Sequence, residues 1–327
     1  MCYSAQVTAD YRQYVQLFGA TLSPQDFYSL YFRKAQGEKL RTPLAMDRAL
    51  EQAPPAPPAG DGPGLVELIA QLRGTQAQAW EQELFRQRKR LADAQRVLAT
   101  GRPTKKAQED ERIASAKVPQ LLGWLADLRR TEPQARDARI YPGWYLPVMV
   151  WEDGQRVVKP MRYQCRPAGK PALYDQKYPG TYNARRDNLQ GFWKGQFGHQ
   201  HGVVLVSAFY ENVARHAAEG RDLRPGETPE NTVLEFRPQP AQDMLVACLW
   251  SRWQAPAGSD EADLLSFAAI TDEPPPEVAA AGHDRCIIPL KPEHLDTWLR
   301  PNPRDLATQQ ALLDDRERPW YAHRLAA

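Results

Sequence analysis

Between residues 51 and 64 the chain reads EQAPPAPPAGDGPG. Proline fixes φ and has no N–H to donate, and glycine loses the most entropy when held in a regular element. With prolines at 54, 55, 57, 58 and 63 and glycines at 60, 62 and 64, the stretch reads as a linker. Its prolines keep it partly extended. The segments on either side must therefore form separate elements.

Upstream, TLSPQDFYSLYFRKA has the marks of a helix. Ser23 is a good N-cap, Pro24 suits the first helical position, and Asp26 sits near the positive end of the dipole. Downstream, residues 65–131 are rich in Ala, Gln, Arg, Glu and Leu, which are good helix formers. Leu84, Leu91 and Leu98 recur every seven residues, and GRP at 101–103 interrupts the pattern before a second run ending LLGWLADLRR. A helical hairpin is expected. Its run RQRKR at 86–90 is either a nucleic-acid contact or a solvated helix face.

From about residue 140 the texture becomes β. YLPVMVW, HGVVLVSAFY, TVLEFRPQ, DMLVACLW and LLSFAAIT are short runs rich in β-branched and aromatic residues. HGVVLVSAFY is almost continuously apolar, as a strand buried on both faces would be. KPEHLDTWL and PRDLATQQALLDD read as short helices. Strands without regular helix alternation point to an α+β, mainly β core. The expected organisation is residues 1–50 as the first part of that core and 51–138 as linker and hairpin. Residues 139–301 are then the main core, and 302–327 a C-terminal helical extension.

Charge and cysteine content narrow the class. Lys plus Arg is 42 and Asp plus Glu is 40, a net charge of +2, which excludes a histone-like binder but not a local basic cleft. The 4 cysteines, at 2, 165, 248 and 286, include no CxxC, so neither a disulfide framework nor a zinc knuckle is expected. HQH at 199–201 could place two histidines on one strand face, but no third ligand stands at a recognisable spacing. Neither metal nor cofactor is expected. Without a signal-like start or a long apolar run, the expectation is a soluble, cytoplasmic chain with no membrane partner.

Several residues could carry chemistry. Cys2 becomes the first residue if Met1 is removed. It would then bear a thiol and a free α-amine, with reference pKa values near ~8.5 and ~8. Asn183, in YNARRDN near the end of a loop, either caps a turn or hydrogen-bonds a reacting oxygen. Glu211, in SAFYENV, ends an apolar strand. It is either a desolvated acid–base group or a carboxylate leaving the core. His283, in GHDRCIIPL, is either a proton carrier oriented by Asp284 or Arg285 or an ordinary turn residue.

The order of these pieces carries more than any one of them. The chain reads MC, then PMRYQCRP (160–167), YNAR (182–185), AFYEN (208–212), ACLW (247–250), SFAAIT (266–271), HDR (283–285) and PEHLDTWLRP (292–301). This succession resembles the SOS-response-associated peptidase (SRAP) family over residues 1–20 and roughly 140–301. That family shows MCGR, an MRWGL-type segment, NAR, GFYEW, AGLW, a threonine-ending strand and HDRMP. Here Tyr3-Ser4 replaces Gly-Arg, MRYQC replaces MRWGL, Asn212 replaces Trp, and HDRCI replaces HDRMP.

The resemblance implies a pseudo-barrel of β-strands with a helical hairpin inserted, and a groove for single-stranded DNA. It implies that Cys2 attacks the aldehyde of an abasic site and forms a DNA–protein crosslink as a thiazolidine. Self-processing of the N-terminus, or reversal of the crosslink, would be a further peptidase-like activity. Asn183, Glu211 and His283 fall on the family's catalytic positions, and Arg162, Arg185 and Arg285 are candidates for DNA contacts. Two alternatives stand beside this. One is a non-crosslinking module that binds DNA or a protein partner through the helical insertion. The other is a cysteine hydrolase acting on an amide.

Overall fold

A computed structural model describes residues 4–55, 62–101, 103–259 and 261–326. Cys2 lies outside the described residues. The chain forms two compact units. One comprises residues 1–30, 39–58 and 135–327, and the other residues 31–38 and 59–134.

The first half of the chain contains β1 (Ser4–Val7), α1 (Tyr11–Phe18), β2 (Thr21–Leu22), α2 (Pro24–Ala35), α3 (Leu44–Gln52), α4 (Leu65–Ala99) and α5 (Lys105–Arg129). α3 runs into the start of the Pro/Gly stretch and stops just before it, because the residue preceding a proline is driven out of the helical region. Thr104 caps α5 by accepting from the Ala107 N–H at 3.1 Å.

α4 and α5 are the expected hairpin. Leu84 packs with Leu121 and Leu125, and Trp80 and Val118 lie against them. The seven-residue leucine repeat does not hold as the buried seam: Ala94 is buried, while Leu91 and Leu98 are only half-buried. A helix of 3.6 residues per turn drifts about 20° per heptad unless it supercoils, so the inward stripe shifts to other positions. In RQRKR, Arg86 pairs with Glu83 and Arg90 with Asp110, while Gln87 turns inward.

The other unit holds the sheet. Its strands are β3 (Arg139–Ile140), β4 (Tyr145–Glu152), β5 (Gln155–Tyr163), β6 (Asn183–Arg185), β7 (His201–Ala214), β8 (Asn231–Gln239), β9 (Met244–Trp253), β10 (Leu264–Asp272), β11 (Cys286–Ile287), β12 (Pro289–Leu290) and β13 (Trp320–Leu325), together with β1 and β2. Short helices α6 (Tyr174–Lys177), α7 (Arg215–Ala218), α8 (Pro276–Ala280), α9 (Leu295–Leu299) and α10 (Leu306–Asp314) connect them. The main path runs β12-β9-β10-β5-β4-β7-β1-β3, and β9 also pairs with β7. That extra pairing turns β9, β10, β5, β4 and β7 into a ring. It is a partial ring, because β4–β7 and β10–β5 each rest on two residue pairs.

β7 is the axis of this arrangement. Its first half, His201–Val206, is buried and pairs with β9, as the apolar run HGVVLV requires. Its second half changes partners, pairing with β1 on one side and β8 on the other. The chain does not end in helix. After α10 it forms β13, which lies antiparallel on β8. The alternation in WYAHRL is too weak to announce this strand.

Candidate active site

Glu211 lies in the second half of β7 and is fully buried. His283 reaches it from the turn before β11, placing Nε2 3.1 Å from Oε2. Gly282 makes that turn possible. Its φ is +91°, and a Cβ there would come within 2.9 Å of the Ala217 side chain.

The other ring nitrogen sets the tautomer. His283 Nδ1 lies 2.9 Å from the Arg285 carbonyl oxygen and 3.2 Å from the Arg285 amide nitrogen. A protonated Nδ1 donates to the carbonyl, and an unprotonated one accepts from the amide. Either tautomer is held while Nε2 still faces Glu211. Burial lowers the pKa of His283 below its usual value, partly offset by the Arg285 carbonyl. The ring is therefore neutral near pH 7 and can take up or release a proton without moving.

Asn183 does not lie in a loop. It opens β6, which runs parallel to β10 with Asn183 opposite Ala269 and Arg185 opposite Thr271. β11 pairs with the same end of β10, with Ile287 opposite Thr271. The NAR and HDR segments thus meet around one strand end. Asp187 holds Arg185 at 2.5 Å, and both pairs feel each other's charge: Asp284 acts on Arg185 and Arg285 on Asp187. Asn183 is buried. Its Oδ1 accepts from the Tyr163 hydroxyl at 3.3 Å, and its Nδ2 has no partner among the described residues.

The three arginines are placed differently. Arg185 is exposed and Arg285 half-exposed. Arg162 is mostly buried, with Asp175 at 2.8 Å and the Gln164 carbonyl as its partners. Gln164 itself has φ 147°, a conformation that favours glycine. Two residues escaped the sequence reading of the site. Thr271 is buried with an unpartnered Oγ1 among the described residues, and Tyr163 carries the hydroxyl on Asn183. SFAAIT and MRYQC contained both, but nothing in either run distinguishes a polar site group from core.

The remaining cysteines are unsuited to attack. Cys165, Cys248 and Cys286 are buried free thiols. Burial pushes the Cys165 thiol up to about 12 and raises the other two as well, Cys286 with help from the Glu211 charge. The histidine pair does not offer two free ligands. His201 is buried with both nitrogens engaged, and among the described residues no cluster of potential ligands is suited to a metal. A cavity of about 660 Å³ adjoins β11, lined in part by Arg186, Asp272, Cys286, Arg316 and Trp320.

The family model for SOS response associated peptidase (SRAP) matches residues 100–325. The chain belongs to this family. The match includes β13 and begins within the hairpin, so it extends beyond the C-terminal limit that the ordered motifs suggested. Residues 1–20, with Cys2, lie outside it. SRAP membership associates the chain with the SOS response and so with DNA damage. No curated protein matches.

Several solved structures are similar, three of them as follows. A protein from Bordetella bronchiseptica shares 16% identity at TM-score 0.45, over 58% of this chain and 87% of that one. A protein from Bacteroides thetaiotaomicron shares 14% at 0.43, over 58% and 78%. A phage-related protein from Bordetella bronchiseptica shares 19% at 0.41, over 58% and 81%. Among the described residues, no helix is long and apolar enough to cross a membrane.

Proposed function

We propose that the chain captures abasic single-stranded DNA through Cys2 once Met1 has been removed. The observation that carries this reading is the register of β1 on β7. Ser4 pairs with Tyr210, the residue next to Glu211. Cys2 is two residues upstream of Ser4 in the sequence. What supports the reading is that the first described residue of β1 sits beside the strand that carries the buried Glu211–His283 pair.

The chemistry uses both nucleophiles of one residue. The neutral α-amine adds to the aldehyde carbon of the ring-opened sugar, forming a carbinolamine. A proton delivered to its hydroxyl releases water and leaves an imine. The thiolate then adds to the imine carbon, forming the S–C bond while the nitrogen takes up a proton. The product is a five-membered thiazolidine, and one water is lost overall. The Glu211–His283 pair gives the proton to the departing water and removes the thiol proton. Asn183 Nδ2, a buried donor without a protein acceptor among the described residues, suits the sugar oxygen. The exposed Arg185 and half-exposed Arg285 would meet phosphate in this reading.

The test is incubation with an abasic oligonucleotide followed by a denaturing gel. Wild type should give a shifted covalent band and Cys2→Ala none, with intact mass showing loss of Met1 and addition of the DNA minus one water. Equal behaviour of the two proteins would overturn the reading and favour a non-covalent module.

A further inference from the structure

Adjacent residues of a strand point to opposite faces, so Tyr210 looks away from Glu211. Its face of the sheet carries an unusual row. Ser4 lies opposite Tyr210 on β1, Glu235 opposite it on β8, and Arg324 opposite Glu235 on β13. One pair further along, Gln6 faces Arg139 of β3, and Arg237 of β8 faces Ala322.

Three arginines lie on this face, and two of them share one carboxylate. Arg324 Nε donates to Glu235 Oε2 at 3.0 Å, and Arg237 also pairs with Glu235. Arg237 Nη2 donates to Gln6 Oε1 at 2.6 Å. Arg139 differs from both. Among the described residues no carboxylate pairs with it. Its guanidinium lies 3.9 Å from the centre of the Tyr210 ring, and its Nε donates to Ser4 Oγ at 3.3 Å.

We propose that Arg139 binds a phosphate of the captured DNA strand, with Arg237 and Arg324 continuing the same cationic band beyond it. The proposal rests on the capture reading and says where the strand runs. Position 4 holds a serine, so β1 itself brings no cation to the start of the chain. β3 supplies one at that point instead. Stacking on Tyr210 fixes the plane of the guanidinium, and the planar fork suits phosphate oxygens. Such a contact sets position along the strand and reads no base.

The test separates binding from chemistry. Affinity for a labelled single-stranded oligonucleotide is measured at several salt concentrations in a Cys2→Ala background, with Arg139, Arg139→Gln or Arg139→Lys. A single-strand phosphate contact contributes about 0.7 to the log–log salt slope, or about fourfold in affinity at 0.15 M salt. Arg139→Gln should lose that slope and that affinity, while Arg139→Lys keeps the slope. With Cys2 restored, Arg139→Gln should raise the abasic-DNA concentration needed for half-maximal crosslinking by about fourfold. Unchanged affinity in Arg139→Gln would overturn the proposal. So would equal weakening in both variants with no change of slope, the mark of a structural role. Absence of crosslinking in the wild type would instead overturn the capture reading and is read in a separate assay.

Discussion

The two ends of β7 each bury a titratable group, and they treat it in opposite ways. At the start, His201 Nε2 accepts from the Gly198 amide at 2.8 Å while Nδ1 faces the Trp298 carbonyl at 3.1 Å. One neutral tautomer satisfies both contacts. The ring also stacks 3.9 Å from Trp298, and burial lowers its pKa to about 3. Ten residues later, Glu211 meets a histidine whose second nitrogen has a donor and an acceptor within reach. The first end fixes one protonation state, and the second accommodates two. Burial alone therefore does not mark chemistry. Tolerance of more than one proton arrangement does.

The largest expected effect comes from exchanging the carboxylate for its amide. Glu211→Gln keeps the volume and removes the proton acceptor. Capture of abasic DNA should slow by about 10²–10⁴-fold, the usual range for a positioned acid–base group, with the folded state retained. His201→Gln should do the reverse, lowering the urea midpoint while leaving the capture rate of folded protein close to wild type. A capture defect in His201→Gln as large as that in Glu211→Gln would erase the distinction between the two ends.

The same contrast has a pH signature. The native pKa of His201, about 3, lies below the unfolded value of 6.5. Between those values the unfolded chain binds a proton that the native chain refuses, so stability falls as pH falls through that window. Above pH 6.5 neither state is protonated and the contribution is flat. For His201 alone the loss is about 2 kcal/mol by pH 5. His283, with its pKa also lowered, acts in the same direction. Urea denaturation at pH 7 and pH 5 should show this loss in wild type and a smaller one in His201→Gln. An equal loss in both would show that the buried histidine of the first end is not the group being titrated.

What the sequence disclosed follows the strength of local physics. The hairpin and the strands β7, β9 and β10 were legible because long apolar runs and blocks of helix formers admit few alternatives. β6 and β13 were not, since each is held by its neighbour in the sheet and not by its own residues. Glu211 and His283 could be named from ordered motifs, but their contact joins residues 72 positions apart in the sequence, which no local pattern encodes. The HQH pair, set aside for want of a third ligand, shows how little a strand-face spacing says by itself. His199 lies in a turn and His201 is consumed by the core, so the two do not share a strand face. Arg139 left no trace at all, because its place beside Ser4 depends wholly on the β1–β3 register.

The smallest effect tests how finely the functional end is set. Tyr163 is buried, stacked on Phe267 at 5.2 Å and edge-on to Tyr182 at 5.6 Å. Its hydroxyl on Asn183 Oδ1 leaves the amide's donor end without a partner among the described residues. Tyr163→Phe keeps the packed ring and removes only that hydrogen bond. A net hydrogen bond is worth about 1 kcal/mol, so capture at saturating DNA should slow about fivefold without loss of affinity. A double-mutant cycle decides whether the hydroxyl acts through the amide. In an Asn183→Ala background, Tyr163→Phe should have no further effect on the rate. If it slows both backgrounds equally, the hydroxyl is supporting the core beneath β6, and the orientation of Asn183 must come from the β6–β10 pairing alone.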